Sequence, residues 1–258
     1  MRIVFFGASE LGYRCCEELI LAGFEIAGLF TVPRQFNISY SPDKPVTNVL
    51  YKDFHELGEK YKIPVVSIVD KIGSYINELN DMKPDFILVI GWYHMIPKSM
   101  RNIALKGCAG IHGSLLPKYR GGAPLVWAMI NGEKRTGVTF FYFEDGVDCG
   151  NVIDQIAFDI EETDTIKEVL KKATEGSIEL VIKNIPLLAA GTAASIKQDE
   201  SKATLFPQRK PEDGLIDWTW DSQRIKSFIK AQTKPYPGAF TILNGKKIKI
   251  WDADISDI

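Results

Sequence analysis

Histidine is scarce in this chain, with three in 258 residues, at positions 55, 94 and 112. Cysteine is too sparse for a disulfide scaffold: Cys15, Cys16, Cys108 and Cys149 are the full set. The adjacent pair would make a strained disulfide, and no C-x-x-C spacing points to zinc. Free thiols in a reducing cytoplasm are the expectation, with no metal. Long apolar runs are also missing, since none approaches the roughly 20 residues of a membrane span. The opening MRIVFFGASELG turns to Gly and Glu too early for a secretory signal. A cytoplasmic protein without membrane attachment is expected. Nor is there an excess of one charge: 31 Lys and Arg stand against 33 Asp and Glu, a net of −2. That balance supplies no general attraction to nucleic acid or anionic lipid.

What the chain does have is an ordinary globular composition, 45% apolar and 25% charged, and length for one sizeable core with a smaller appendage. Its first ninety residues alternate between two patterns. RIVFF (2–6), EIAGLFTV (25–32), IPVVSIV (63–69) and DFILVIG (85–91) are short continuous apolar runs. Such runs suit strands covered on both faces, as in a parallel sheet. ELGYRCCEELILAG (10–23) places Leu11, Cys15, Leu19 and Ile20 on one helix face and ends at Gly23. NVLYKDFHELGEKY (48–61) has Leu50, Phe54 and Leu57 at helical spacing. The alternation predicts an α/β, Rossmann-like, doubly wound and mostly parallel sheet, with ligands at the carboxyl ends of its strands. GASELG after the first strand is neither G-x-G-x-x-G nor a P-loop, so it reads as a tight turn with modest ligand contact. The segment 33–48, with three prolines, reads as a long mobile loop beside the strand ends.

Further along come TGVTFFYF (136–143), a Gly-rich loop EDGVDCGN (144–151) and VIDQIAFDI (152–160). A long helix follows, with Thr163 or Asp164 as N-cap and Gly191 as its close. It completes a first domain over residues 1–190. Residues 191–258 form an appendage: a turn-rich connector, an amphipathic helix with Ile225, Phe228 and Ile229 inward, and a hairpin around Asn244-Gly245. A lone hairpin is marginal in water. It must pack on the first domain, on a second copy in a homodimer, or on residues beyond this chain.

Among the histidines, His55 sits between charged neighbours and reads as solvent-facing. His94 lies just past a strand end in GWYHMIP (91–97) and reads as pocket wall. His112 opens HGSLLP, where a strand end meets a turn with free backbone N–H groups. A neutral imidazole can take a proton near physiological pH, best when a carboxylate fixes its tautomer. Asp148 is a suitable partner, with Asp145 and Glu144 as competitors. In KYRGGAP (118–124), Lys118 and Arg120 offer charge to an anion while the glycines permit close backbone approach.

The stretch HGSLLPKYRGGAP (112–124), with TGV (136–138) and DGVDCGNVI (145–153), resembles the formyltetrahydrofolate-dependent formyltransferases from residue 1 to about 190. The resemblance implies direct formyl transfer to an amine, with His112 taking the amine proton and Asp148 orienting it. It implies a folate co-substrate lying near Trp92, Tyr93, Met95, Ile96, Asp145 and Val147. The acceptor would meet Ser114, Lys118, Arg120 and Gly121. One position departs from the family pattern Asn-x-His: Gly110 stands where an Asn would donate to the tetrahedral oxyanion. Losing one such donor typically costs about 100- to 1000-fold in turnover. Another donor or an ordered water takes its place, or the chain is an impaired variant or a naturally altered enzyme. If the position is simply vacant, Gly110→Asn should raise turnover. TLFPQRKPEDGLIDW (204–218) with KPYPGAF (234–240) is similar to the sugar-nucleotide branch, above all to the formyltransferase half of the UDP-aminoarabinose enzyme. The expected acceptor is the amine of a nucleotide-linked amino sugar, as in surface-glycan (lipopolysaccharide, O-antigen) synthesis. A methionyl-tRNA formyltransferase is the alternative enzyme, and a noncatalytic folate- or sugar-nucleotide-binding module is the alternative class.

Overall fold

The computed structural model describes residues 1–38 and 41–256. The uninterrupted apolar runs become strands because both faces of each are covered, as the complete burial of Ile3, Val4, Phe5 and Phe6 shows. In chain order the elements begin with β1 (Ile3–Phe6), α1 (Glu10–Leu21), β2 (Ile26–Thr31), β3 (Gln35–Ile38) and β4 (Ser41–Thr47). Then come α2 (His55–Tyr61), β5 (Val65–Ser67), α3 (Ile76–Asp81), β6 (Phe86–Val89), α4 (Lys98–Arg101) and β7 (Cys108–His112). They are followed by β8 (Arg120–Gly121), α5 (Pro124–Ile130), β9 (Arg135–Tyr142), β10 (Val152–Asp159) and α6 (Ile166–Ala190). The last are β11 (Leu205–Phe206), α7 (Ser222–Gln232), β12 (Ala239–Leu243) and β13 (Lys246–Ile250).

The main sheet has seven strands in the order β10-β9-β7-β6-β1-β2-β5. β5, β2, β1, β6 and β7 pair in parallel, and β9 joins β7 antiparallel. This is the mostly parallel, Rossmann-like α/β sheet expected, with a small antiparallel hairpin near the C-terminus. The chain order reverses across β1, which lies between β2 and β6, and sheets of this kind generally take ligands at the carboxyl ends of the strands beside such a reversal.

The chain divides into two compact units, each built from three stretches. The first comprises Met1–His112, Thr139–Gln155 and Ser177–Gln198; the second comprises Gly113–Val138, Ile156–Gly176 and Asp199–Ile258. In the first unit one apolar cluster joins Val4, Phe6, Phe30, Ile87, Val89 and Cys108, and Trp92, Tyr93 and Phe143 pack against its edge. Each fully buried large side chain there contributes about 1.5–3 kcal/mol relative to exposure. In the second unit α5 packs on α7, and β12 pairs with β13 from Ala239↔Ile250 to Leu243↔Lys246. Asn244 and Gly245, at φ 50° and 71°, form the two-residue turn that this pairing requires.

Three local expectations change. The predicted loop 33–48 contains the β3–β4 ribbon, because QFNI alternates: Phe36 and Ile38 are buried while Gln35 and Asn37 face out. Residues 39 and 40 of that stretch lie outside the described residues. The helix predicted from 48 starts only at His55. Asn48 instead bonds backbone on two segments, donating to Ala8 O at 2.7 Å and accepting from Leu50 N at 2.9 Å. The long helix is capped by Thr165 rather than Thr163 or Asp164: Thr165 Oγ1 accepts from Lys167 N, and the Glu168 carboxylate accepts from Thr165 N.

Candidate active site

β7 ends on His112, so its ring leaves the sheet at the carboxyl end of a central strand. Cross-strand pairing fixes the position, with Gly110 opposite Val89 of β6 and His112 opposite Thr139 of β9. His112 is 8% exposed, and its ring meets Phe141 edge-on, with centroids 6.3 Å apart. After β9 the chain makes a loop that is closed where Tyr142 N donates to Asn151 O at 2.9 Å. Gly150 is required there, because any Cβ would collide with the Tyr142 carbonyl. Asp148 lies inside the loop in the left-handed region, at φ 49°. That turn brings its Oδ2 to 3.5 Å from His112 Nδ1. The separation is a charge-pair distance rather than a full hydrogen bond. It aims the Nδ1 side of the ring at the carboxylate. Asp145, the sequence competitor, is engaged elsewhere: Lys98 Nζ donates to it at 2.9 Å and Arg101 also binds it. These two cations hold its carboxyl below the usual carboxylate range, Lys98 contributing more.

Gly110 precedes the histidine by two residues, and its surroundings are filled. A Cβ built there would overlap the Val89 carbonyl oxygen and stand 2.8 Å from the Phe143 ring edge. The position is therefore not an empty slot awaiting a longer side chain.

The remaining folate-side candidates follow β6. Trp92 and Tyr93 are half-buried, Ile96 is buried and Met95 exposed. Tyr93 Oη donates to Asn48 Oδ1 at 2.7 Å, which ties this segment to the turn after β4. The Trp92 indole Nε1 is buried with no hydrogen-bond partner among the described residues. His94 packs beside the Trp92 and Phe36 rings, and burial pushes its pKa down, which favours the neutral imidazole. Val147, in the Asp148 loop, is exposed. His55 is exposed as expected and bonds Asp53 and Ser67.

The acceptor-side candidates lie in the second unit. Ser114 is fully buried and donates to Lys118 O at 2.6 Å, while the Lys118 side chain is exposed. Arg120 is buried, and its guanidinium forks onto Glu200 at 2.8 and 2.7 Å. Gly121, at φ 94°, pairs with Phe206 where β8 runs beside β11. Sequence reasoning missed Asn48, Phe143 and Gln198. Phe143 closes the apolar run TFFYF, whereas Asn48 stood at the head of a stretch read as helix and Gln198 sits in one without periodicity.

Among the described residues, no three His, Cys, Asp or Glu side chains cluster as a metal site would need, and no helix is long and apolar enough to cross a membrane. The chain matches the formyl transferase family over residues 71–185 and the formyl transferase C-terminal domain over 209–258. It is 34% identical over 99% of its length to the bifunctional polymyxin resistance protein ArnA of Wigglesworthia glossinidia brevipalpis, and it spans only 38% of that relative. It is 33% identical to the methionyl-tRNA formyltransferase of Alkaliphilus oremlandii (strain OhILAs), covering 99% of this chain and 80% of that one. In fold it is similar to the N-formyltransferase of Helicobacter canadensis, solved with folinic acid and dTDP-3-aminofucose. That match has a TM-score of 0.71 and 20% identity, over 95% of this chain and 85% of that one.

Proposed function

The chain belongs to the formyltransferase family and is an N-formyltransferase, and from that premise we propose that it moves a formyl group from formyltetrahydrofolate to the amine of a nucleotide-linked amino sugar. The observation that carries the chemistry is the approach of Asp148 to His112 at the carboxyl end of β7. His112 Nε2 takes the proton released as the acceptor nitrogen bonds to the formyl carbon. Asp148 holds the ring tautomer and balances the imidazolium that results. The same proton then goes to the folate nitrogen as its bond to the formyl carbon breaks. Trp92, Tyr93, Ile96 and the 145–148 loop are assigned to the folate, and Ser114, Lys118, Arg120 and Gly121 to the acceptor.

The net charge of −2 supports a small acceptor, since a polyanionic RNA is held largely by excess Lys and Arg. The dTDP-3-aminofucose complex of the H. canadensis enzyme, similar in fold, supports the same reading. Methionyl-tRNA is the second reading, favoured by the 33% identity to an enzyme named for it. Formyltetrahydrofolate offered with UDP- and dTDP-linked amino sugars and with methionyl-tRNA separates the two. Formylated sugar nucleotide without formylmethionyl-tRNA is expected, and the reverse pattern overturns the choice of acceptor. A homodimer through the hairpin is proposed as well, because Ile242, Leu243 and Ile248 are exposed on it. Light scattering is expected to give twice the chain mass, and a monomer removes that proposal.

A further inference from the structure

The chain after α6 returns to the sheet as a single bridged residue. Ile196 pairs with Val152, the first residue of β10, through two hydrogen bonds of 2.8 Å. The bridge anchors this segment beside the exit of the Asp148 loop. Two residues later comes Gln198, which is 6% exposed and lies in the same compact unit as Asp148. Its Nε2 donates to the Asp148 carbonyl at 2.8 Å and to the Gly150 carbonyl at 2.7 Å. A primary amide carries two N–H donors on one nitrogen, and both are used here. Gln198 falls between the two family matches, 71–185 and 209–258.

We propose that Gln198 is a positioning residue for formyl transfer: its side-chain amide grips the backbone on either side of Cys149 and keeps the Asp148 carboxylate on His112. The proposal rests on the reading of His112 and Asp148 as the reacting pair. Its physical basis is the turn itself. Asp148 holds a left-handed backbone at φ 49°, a region that Asp enters more readily than most L-residues but that still costs more than its ordinary backbone angles. The entry of the loop is fixed from elsewhere, by Arg101 donating to Phe143 O and by Lys98 and Arg101 on Asp145. The exit is where Gln198 acts. Without its two N–H groups, two carbonyls in a largely buried place lose their donor, and the turn relaxes toward ordinary backbone angles. The carboxylate then moves off the ring, and misplacement by about 1 Å at a reacting group costs on the order of 100-fold.

The test uses Gln198→Met, equal in length but without donors, and Gln198→Glu, which only accepts. Each is made in the wild-type chain and in an Asp148→Asn background. Activity is read with formyltetrahydrofolate and whichever of the sugar nucleotides or methionyl-tRNA the wild type formylates best. Rates are divided by the folded fraction from circular dichroism, so loss of fold is not counted as loss of positioning. In the wild-type chain kcat is expected to fall about tenfold or more, with both KM values within about threefold. In the Asp148→Asn background the further loss is expected to shrink, because the effect runs through that carboxylate. A fall of less than about fivefold in the wild-type chain overturns the proposal, and so does an equal or larger loss in the Asp148→Asn background. Full activity in Asp148→Asn alone overturns instead the assignment of the reacting pair, so the two failures are told apart.

Discussion

His112 Nδ1 and Asp148 Oδ2 stand 3.5 Å apart, the first at the end of β7 and the second in a left-handed turn between β9 and β10. Neither side chain is placed by its own sequence neighbours. The histidine is delivered by strand register, and the aspartate by a loop held at both ends. The pairing turns the Nδ1 side of a nearly buried imidazole toward a carboxylate. His112→Gln is expected to lower kcat by roughly 100- to 10,000-fold, the usual range for loss of a general base. Asp148→Asn should lower it as well, with KM for folate little changed. Steady-state kinetics on the folded variants checks both.

Gly110 leads to a prediction opposite to the one that vacancy would give. Val89 O and the Phe143 ring occupy the space around its Cα. Gly110→Asn is therefore expected to destabilise the fold by about 1–3 kcal/mol, the usual cost of overpacking, and not to raise turnover. Adding Phe143→Ala removes one of the two obstacles and should recover part of the stability. Urea unfolding of the single and double variants reads this out.

Acid sensitivity is expected at Asp154. Burial raises its pKa, but the Asn184 amide at 2.9 Å and the Lys183 ammonium at 2.8 Å outweigh that and leave it lowered. A carboxyl whose folded-state pKa lies below its unfolded value stabilises fully above the unfolded value of about 3.9. That stabilisation disappears as pH falls through the folded-state pKa. The melting-temperature gap between wild type and Asp154→Leu should be widest near neutral pH and close on acidification below about pH 4. A gap that stays constant with pH would show that the contact is not electrostatic.

The hairpin gives a stability prediction of a different kind. Gly245 sits at φ 71°, where a β-branched side chain is strained. Gly245→Val is expected to loosen β12 and β13, seen as faster amide exchange along Lys246–Ile250, while formyl transfer remains unless the hairpin is needed for assembly.

The parts of this molecule that could be read from sequence were those set by local pattern. RIVFF, DFILVIG and their like announced buried strands because both faces of a central parallel strand are apolar. Asn244-Gly245 announced its turn because few residues tolerate two positive φ values in succession. HGSLLP and DGVDCGN marked the proposed pair through resemblance, and the distance between its members came from the fold. Illegible in sequence were effects carried by single amides acting over long separations. Asn48 breaks a predicted helix by bonding Ala8, and Gln198 reaches back to Asp148. The environment of Gly110 was equally hidden, because it depends on a neighbouring strand's carbonyl and on the ring of Phe143, just past the end of β9.

The most direct measurement follows an isotope-labelled formyl group from formyltetrahydrofolate by mass spectrometry, with wild type and His112→Gln side by side against the amino-sugar nucleotides. The account predicts label on the sugar nitrogen with wild type and at least about 100-fold slower labelling with the variant. Equal labelling by both proteins, or label that never reaches a sugar amine, would contradict it.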